Sequence, residues 1–357
     1  MTVLGEIAAT RLEGVPSYRP GKSLPGSTMG KLSANESSLG AGPVIRAAIA
    51  RVSDHVGKYP DESRMLGLLA DELGVDPDNI LLSNGSDEIC FLVASVFLGP
   101  GHVAVVGDPC YQIDATVSRI VGADVVRVPL IDGGHDLDAM AAECQQAQVV
   151  WLPSPHNPTG VALSPEGFGS FMARVPDTCL VVLDEAYRDY SDLQSRPDIA
   201  MLQAEHPNLI VQRTFSKSWA VAGLRLGYAL GAADVVSALR RVRAPFSVNA
   251  AAIAAGEAAI AAPAWQDMAV ARVQEGRRLL EAELTSLEIE FYPSQANFVT
   301  AHLDHALIAP RMAAEGISVR PGEDLGLPGW TRISIGWAPT MSTFRSVLRD
   351  VRRGQQP

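Results

Sequence analysis

The sequence predicts an α/β protein: a large domain built on a mostly parallel central sheet with helices on both faces, followed by a smaller α/β C-terminal domain. Three observations carry that prediction. Short apolar runs of strand length alternate with helical stretches, the pattern that βαβ crossovers write into a chain. Chemistry-bearing segments follow directly after five of these runs, where the carboxyl ends of parallel strands open a crevice. The length, 357 residues, exceeds the size at which a single hydrophobic core stops growing.

In chain order, residues 1–34 read as an irregular arm punctuated by Pro and Gly, as in Gly14-Val15-Pro16-Ser17-Tyr18-Arg19-Pro20-Gly21, with no hydrophobic period. Residues 35–245 are assigned to the large domain. Its first helices are expected over Pro43 to Ser53 and Ser63 to Leu73, where apolar residues recur at helical spacing. Strands are expected over Ile80 to Leu82, His102 to Val106, Val125 to Val128, Val149 to Leu152, Cys179 to Leu183 and Leu209 to Val211. Residues 246–357 form the small domain. The alanine-rich stretch Ala250 to Ala264, broken by Glu257 and Pro263, reads as a buried small-residue helix too short to cross a bilayer, and a longer helical run extends to Leu287.

Charge and cysteine usage narrow the functional classes. Forty acidic against 29 basic residues give a net charge of -11, which argues against nucleic acid or an anionic membrane as a charge-held partner. Cys90, Cys110, Cys144 and Cys179 show no paired or metal-finger spacing, and no basic segment followed by an apolar run opens the chain. The expected setting is a reducing cytoplasm.

Four of the 29 basic residues are lysines, and Lys217 is the only lysine in the last 299 residues. It lies in Arg213-Thr214-Phe215-Ser216-Lys217-Ser218. Arginine stays protonated, whereas a lysine amine attacks carbonyls; a solvated surface lysine is the alternative on this residue alone. Convergence favours the chemical reading. The segments that follow strands are Asn84-Gly85-Ser86-Asp87, Asp108-Pro109-Cys110-Tyr111, Asn157-Pro158-Thr159-Gly160, Asp184-Glu185-Ala186-Tyr187 and the Lys217 cluster. Gly85, Ser86 and Asp87 open a helix whose free N–H groups favour a phosphate, with Ser216 and Arg225 to complete the cup. Asp184 ends the apolar run Leu180-Val181-Val182-Leu183 and needs a cation or donor there, such as a pyridinium nitrogen. Together with Tyr111 as a flat stacking ring, these groups describe pyridoxal 5'-phosphate.

Read with Ser33-Ala34-Asn35-Glu36, Tyr59-Pro60-Asp61, Ala222-Gly223-Leu224-Arg225-Leu226-Gly227-Tyr228, Ser294-Gln295-Ala296-Asn297-Phe298-Val299 and Arg332-Ile333-Ser334, the chain resembles the fold-type-I aminotransferases nearly end to end. Within them it resembles the histidinol-phosphate aminotransferase subgroup and its actinobacterial aromatic amino acid aminotransferase relatives. The resemblance implies that Lys217 binds the cofactor covalently and moves a proton at the substrate α-carbon. It implies further that Asp184 keeps the ring nitrogen protonated, that Asn157 and Tyr187 hold the phenolic oxygen, and that Tyr111 stacks on the ring. Arg332 would clamp the substrate anion, with Arg320 a second cation and Tyr18 and Asn35 nearby. Tyr59 would reach the phosphate of a neighbouring subunit, making a homodimer the working unit. The implied reaction moves an amino group between an aromatic amino acid or histidinol phosphate and 2-oxoglutarate by a ping-pong cycle.

Departures bear on the substrate. Asn35-Glu36-Ser37-Ser38 stands where the family commonly has N-E-N-P, and Gly336-Trp337-Ala338-Pro339-Thr340 is expected to make the lip beside the Arg332 clamp more apolar. With Ser17-Tyr18-Arg19-Pro20-Gly21-Lys22 this leans toward the aromatic branch. A specialised secondary-metabolite aminotransferase and a lyase similar to threonine-phosphate decarboxylase stay open; a pyridoxal-sensing regulator does not, because only about 30 residues precede the first motif. Three decoys are set aside. Gly14 to Gly21-Lys22-Ser23 has the wrong spacing for a nucleotide loop, His302, Asp304 and His305 lack further ligands for a metal, and His156 is read as a polar neighbour of Asn157.

Overall fold

A computed structural model describes residues 2–15, 17–21, 24 and 30–353. Pro16, Lys22 and Ser23 of the arm lie outside the described residues. The strands are β1 (Lys31–Leu32), β2 (Ile80–Ser83), β3 (Val103–Asp108), β4 (Asp124–Pro129), β5 (Val149–Pro153), β6 (Leu180–Asp184), β7 (Leu209–Thr214), β8 (Gly227–Leu230), β9 (Phe298–Ala301), β10 (Ser318–Pro321) and β11 (Thr331–Ser334). Seven of them form one sheet in the order β2-β8-β7-β6-β5-β3-β4. β8 runs antiparallel to both of its neighbours, β2 and β7, and the other six strands share one direction.

Period-two alternation splits the central strands between two buried faces. Val150 and Leu152 of β5, with Val181 and Leu183 of β6, enter one core, while Val149, Trp151, Leu180 and Val182 enter the other. A sheet covered on both faces holds its strand ends rigidly, and the loops at the carboxyl ends of β3, β5, β6 and β7 are therefore fixed supports. The helix Ala250–Ile260, beyond the boundary expected at residue 245, contributes Ala252, Ile253, Ala255 and Ala259 to the core of this larger sheet. Its small residues allow close approach: a Cβ on Gly256 would collide with Met65 Cε.

The second sheet has the order β1-β10-β11-β9. It packs against the long helix Ala264–Ser286 and the C-terminal helix Ala338–Arg353, with Leu280, Leu284, Phe298, Ile333, Phe344 and Leu348 in its core. β1 comes from the end of the expected arm and pairs parallel with β10.

Two differences from the sequence reading have physical causes. The arm holds a helix, Val3–Arg11. Val3, Leu4, Ala8 and Ala9 on it are exposed, so among its described side chains no buried stripe writes a period into the sequence. β8 lies outside the expected strands, because Gly227-Tyr228-Ala229-Leu230 is short and opens on a glycine. That glycine is required: a Cβ there would meet Ser86 N at 2.8 Å and Arg213 O at 2.9 Å. Among the described residues no helix is long and apolar enough to cross a membrane.

Candidate active site

A cavity of about 300 Å³ opens at the carboxyl ends of β3, β5, β6 and β7, between the two sheets. Every predicted site residue except Gly85 and Tyr59 lines it. Gly85 lies just behind the wall. Tyr59 lies elsewhere, 80% exposed and stacked on Phe246 with ring centroids 4.4 Å apart.

At one end is a cup for an anion. The helix Ser86–Phe97 starts after Gly85, whose φ of +79° is the left-handed geometry glycine tolerates and whose missing side chain leaves the first turn without a side-chain cap. Arg225, itself at φ +57°, passes so close that a Cβ on Gly85 would collide with its Nη2. Arg225 Nη2 lies 3.2 Å from Asp87 Oδ2, and its Nη1 donates to Ser216 Oγ at 3.4 Å. The Tyr111 hydroxyl donates to Asp87 Oδ1 at 2.9 Å, tying the aromatic ring to the same helix N-terminus.

Asp184 ends β6 and is 9% exposed. Its Oδ1 accepts the Ala186 N–H at 2.9 Å. Burial pushes its carboxyl up to about 6, against the lowering effect of that bond, of Gln212 and of Lys217. A carboxylate so placed is stabilised by a cation arriving from the cavity. Lys217 Nζ stands 5.5 Å from the centre of the Tyr187 ring.

Asn157 and Tyr187 are oriented by bonds that consume their acceptors. Arg332 Nη1 donates to Asn157 Oδ1 at 2.7 Å, leaving the Asn157 amide hydrogens for the cavity. Asn35 Nδ2 donates to the Tyr187 hydroxyl at 3.0 Å, leaving its proton to donate. Asn35 is locked in turn: its N–H donates to Ser334 Oγ, its Oδ1 accepts from the same hydroxyl, and its carbonyl accepts from Asn297 Nδ2. Its φ of +54° lies in the left-handed region that asparagine enters more readily than most residues.

Arg332, on β11, is 6% exposed, lies over the Phe298 ring at 5.2 Å and also donates to Ser33 O. Its Nε has no partner. Arg320 on β10 donates to Arg19 O at 2.5 Å and lies 3.6 Å from Asp324. Tyr18, half exposed, borders the mouth.

Other wall residues escaped the sequence reading. The helix Gln112–Ile120 presents Gln112, Ala115, Thr116 and Arg119 to the cavity, a stripe at helical spacing, and Arg127 enters from β4 beside Asp108 at 2.8 Å. The strand-end rule points to this region, but nothing in the local composition distinguishes these arginines. The expected apolar lip corrects differently. No residue from Gly336 to Thr340 lines the cavity, and the Trp337 indole bonds Ser38 O instead. His156 bonds Thr159 at 2.9 Å and packs edge-on against His135, and burial holds it well below the usual histidine range, hence neutral. Asp304 caps the helix His305–Ala314.

This set fits pyridoxal 5'-phosphate on its own terms: an anion cup, an unneutralised buried carboxylate, a lysine and two oriented donors around one cavity. A family model for class I and II aminotransferases matches residues 28–350, and the chain belongs to that family, the fold-type-I pyridoxal-phosphate-dependent aminotransferases. It is similar to the histidinol-phosphate aminotransferase of Brevibacillus brevis, 36% identical over 96% of this chain and 98% of that protein. Histidinol-phosphate aminotransferase 1 of Thiobacillus denitrificans is 38% identical over 98% of this chain and 94% of its own length. The crystal structure of the histidinol-phosphate aminotransferase of Sinorhizobium meliloti in complex with pyridoxal-5'-phosphate superposes with a TM-score of 0.87 at 26% identity, over 97% of each chain. Within the family, the chain falls in the histidinol-phosphate aminotransferase subgroup.

Proposed function

We propose that this aminotransferase moves an amino group between histidinol phosphate and a 2-oxo acid by a ping-pong cycle. One observation carries the choice of donor. Besides Arg225 in the anion cup, four arginines among the described residues line the cavity, Arg119, Arg127, Arg320 and Arg332, and among those residues the acids outside the cofactor end are Asp108 and Asp324. That surplus suits a substrate with an anionic distal group.

When bound, the cofactor supplies a protonated pyridine ring that accepts the electron pair released at the substrate α-carbon. Lys217 Nζ would hold the cofactor covalently and carry the proton at the substrate α-carbon. Asp184 holds the proton on the ring nitrogen. Asn157 and Tyr187 donate to the phenolic oxygen with the hydrogens that Arg332 and Asn35 leave free. Tyr111 fixes the plane of the ring, and Gly85, Ser86, Asp87, Ser216 and Arg225 hold the phosphate. Arg332 and Arg320 take the substrate anion, and Tyr18 borders its path. The exposed Tyr59–Phe246 stack supports a homodimer in which Tyr59 reaches the partner's phosphate. A cytoplasmic setting fits the cysteines, of which Cys90, Cys144 and Cys179 are buried thiols.

A second reading, an aromatic amino acid as donor, is favoured by the apolar surface that Tyr18, Pro109 and Leu325 give the mouth. Titration of the loaded enzyme with each donor in the absence of oxo acid separates the two. Histidinol phosphate should convert the cofactor's visible absorbance to that of its amine form at lower concentration than L-phenylalanine. The reverse order favours the aromatic reading, and carbon dioxide release without oxo-acid formation a lyase.

A further inference from the structure

Behind the ring-binding end of the cavity lies a set of polar groups that take no direct part in holding cofactor or substrate. Asp114 is 2% exposed and sits on the helix Gln112–Ile120, off the Gln112/Ala115/Thr116/Arg119 stripe that lines the cavity. Cys90 Sγ lies 3.8 Å from Asp114 Oδ1 and 3.5 Å from both Oε1 and Nε2 of Gln212. Gln212 stands opposite Asp184 in the β6–β7 ladder and hydrogen-bonds its carboxylate. Four elements thus bring one polar chain, Asp114–Cys90–Gln212–Asp184, into an otherwise apolar interior.

The direction of its bonds follows from the donors available. Gln212 has one amide NH₂, which serves Asp184 and the Cys90 sulfur, and the Cys90 thiol then donates to Asp114. The ionisable groups that act on Asp114 are Asp184 and Asp87 with Cys90, and Cys110 feels it from the cavity side; none is a cation. A buried carboxyl without a cation takes up a proton, and two neighbouring buried carboxyls do not both ionise. Burial, and after it the charge of Asp184, hold Asp114 well above the usual carboxylate range.

We propose that Asp114 is a protonated positioning residue: through Cys90 it fixes the Gln212 amide, and Gln212 keeps Asp184 ionised and aimed at the cofactor's ring nitrogen. The inference rests on the cofactor reading for its last step only. The proton on Asp114 belongs to the fold, with or without cofactor.

Two readouts test it. An infrared difference spectrum between wild type and Asp114→Asn at neutral pH should show the loss of a protonated carboxylic acid band, in cofactor-free and loaded protein alike; loss of a carboxylate band instead overturns the proposal. The pH midpoint of the cofactor's visible absorbance should stay within about 0.3 unit in Asp114→Asn, which imitates the neutral acid. It should move by about one unit, a tenfold change in proton affinity, in Asp114→Val and in Cys90→Ala, which break the chain. A purely structural role would lower the melting temperature of these two variants and leave the midpoint in place, which also overturns the proposal, as does a midpoint change of a full unit in Asp114→Asn. If Asp114→Val does not fold, Cys90→Ala reads the same chain. Failure of wild type to bind the cofactor would sink the reading of the site, while the infrared arm would still decide the proton.

Discussion

Replacing Asp184 by Asn should make the cofactor-free protein more stable and the enzyme nearly inert. In the absence of cofactor the Asp184 carboxyl is pushed up to about 6 from a usual value of 3.8, chiefly by burial. Ionising it in the folded state therefore costs about 3 kcal/mol more than in the unfolded chain. The sign follows from linkage: the folded protein binds this proton more tightly than the unfolded chain, so the wild type loses stability as pH rises from about 4 to about 6 and then levels off. Asn carries no charge and keeps an oxygen for the Ala186 N–H. Urea unfolding of the two cofactor-free proteins should therefore coincide near pH 4 and diverge by ~1–3 kcal/mol at pH 8, the lower bound allowing for a weaker bond from Gln212. Saturating cofactor should reverse the order, since wild type gains the ring-nitrogen pair and RT ln(1 + [L]/Kd), about 2.7 kcal/mol at a hundredfold excess over Kd. A gap independent of pH, or an Asn variant that is less stable at pH 8, would refute the reasoning that Asp184 is a strained charge waiting for a cation.

Other expectations are simpler. Gly85→Ala forces a side chain into the left-handed region and against Arg225 Nη2; it should cost ~1–2 kcal/mol in stability and weaken cofactor binding about tenfold or more, read by equilibrium titration. Phe298→Ala removes a fully buried ring that underlies both Arg332 and Tyr187, and should destabilise by ~3–5 kcal/mol in chemical unfolding, while Phe298→Leu keeps most of that. Tyr59→Phe should leave the fold unchanged and raise the cofactor dissociation constant severalfold in a dimer; light scattering showing an active monomer would remove the basis for that expectation.

The sequence was most legible where one residue type does one physical job. Leu180 to Leu183 alternate between two buried faces, and a run buried on both sides can be read without knowing its partners. Lys217, Asp184 and Asn157 were legible because each follows such a run. Arg119 and Arg127 were not: an arginine on an exposed helix and one in a cavity wall have the same local sequence, and only packing against the arm, as in the Arg119 bond to Gly14 O, separates them. Trp337 misled for the converse reason. Its place beside Arg332 in the chain suggested the substrate mouth, but β11 ends at Ser334 and the tryptophan turns to Ser38. Asp114 carries no motif that would mark it in the sequence, and its partner Cys90 lies on another helix, 24 residues away.

Asn35 is one of the residues that tie the two sheets together, beside the Arg332–Asn157 bond. It is bonded to β11 through Ser334, to the segment before β9 through Asn297, and to the Tyr187 hydroxyl beyond the end of β6. A displacement of the small sheet relative to the large one loads this node together with the Arg332–Asn157 bond, and stretching it releases the acceptor side of the Tyr187 hydroxyl, so a change in shape is registered as a change in where one proton points.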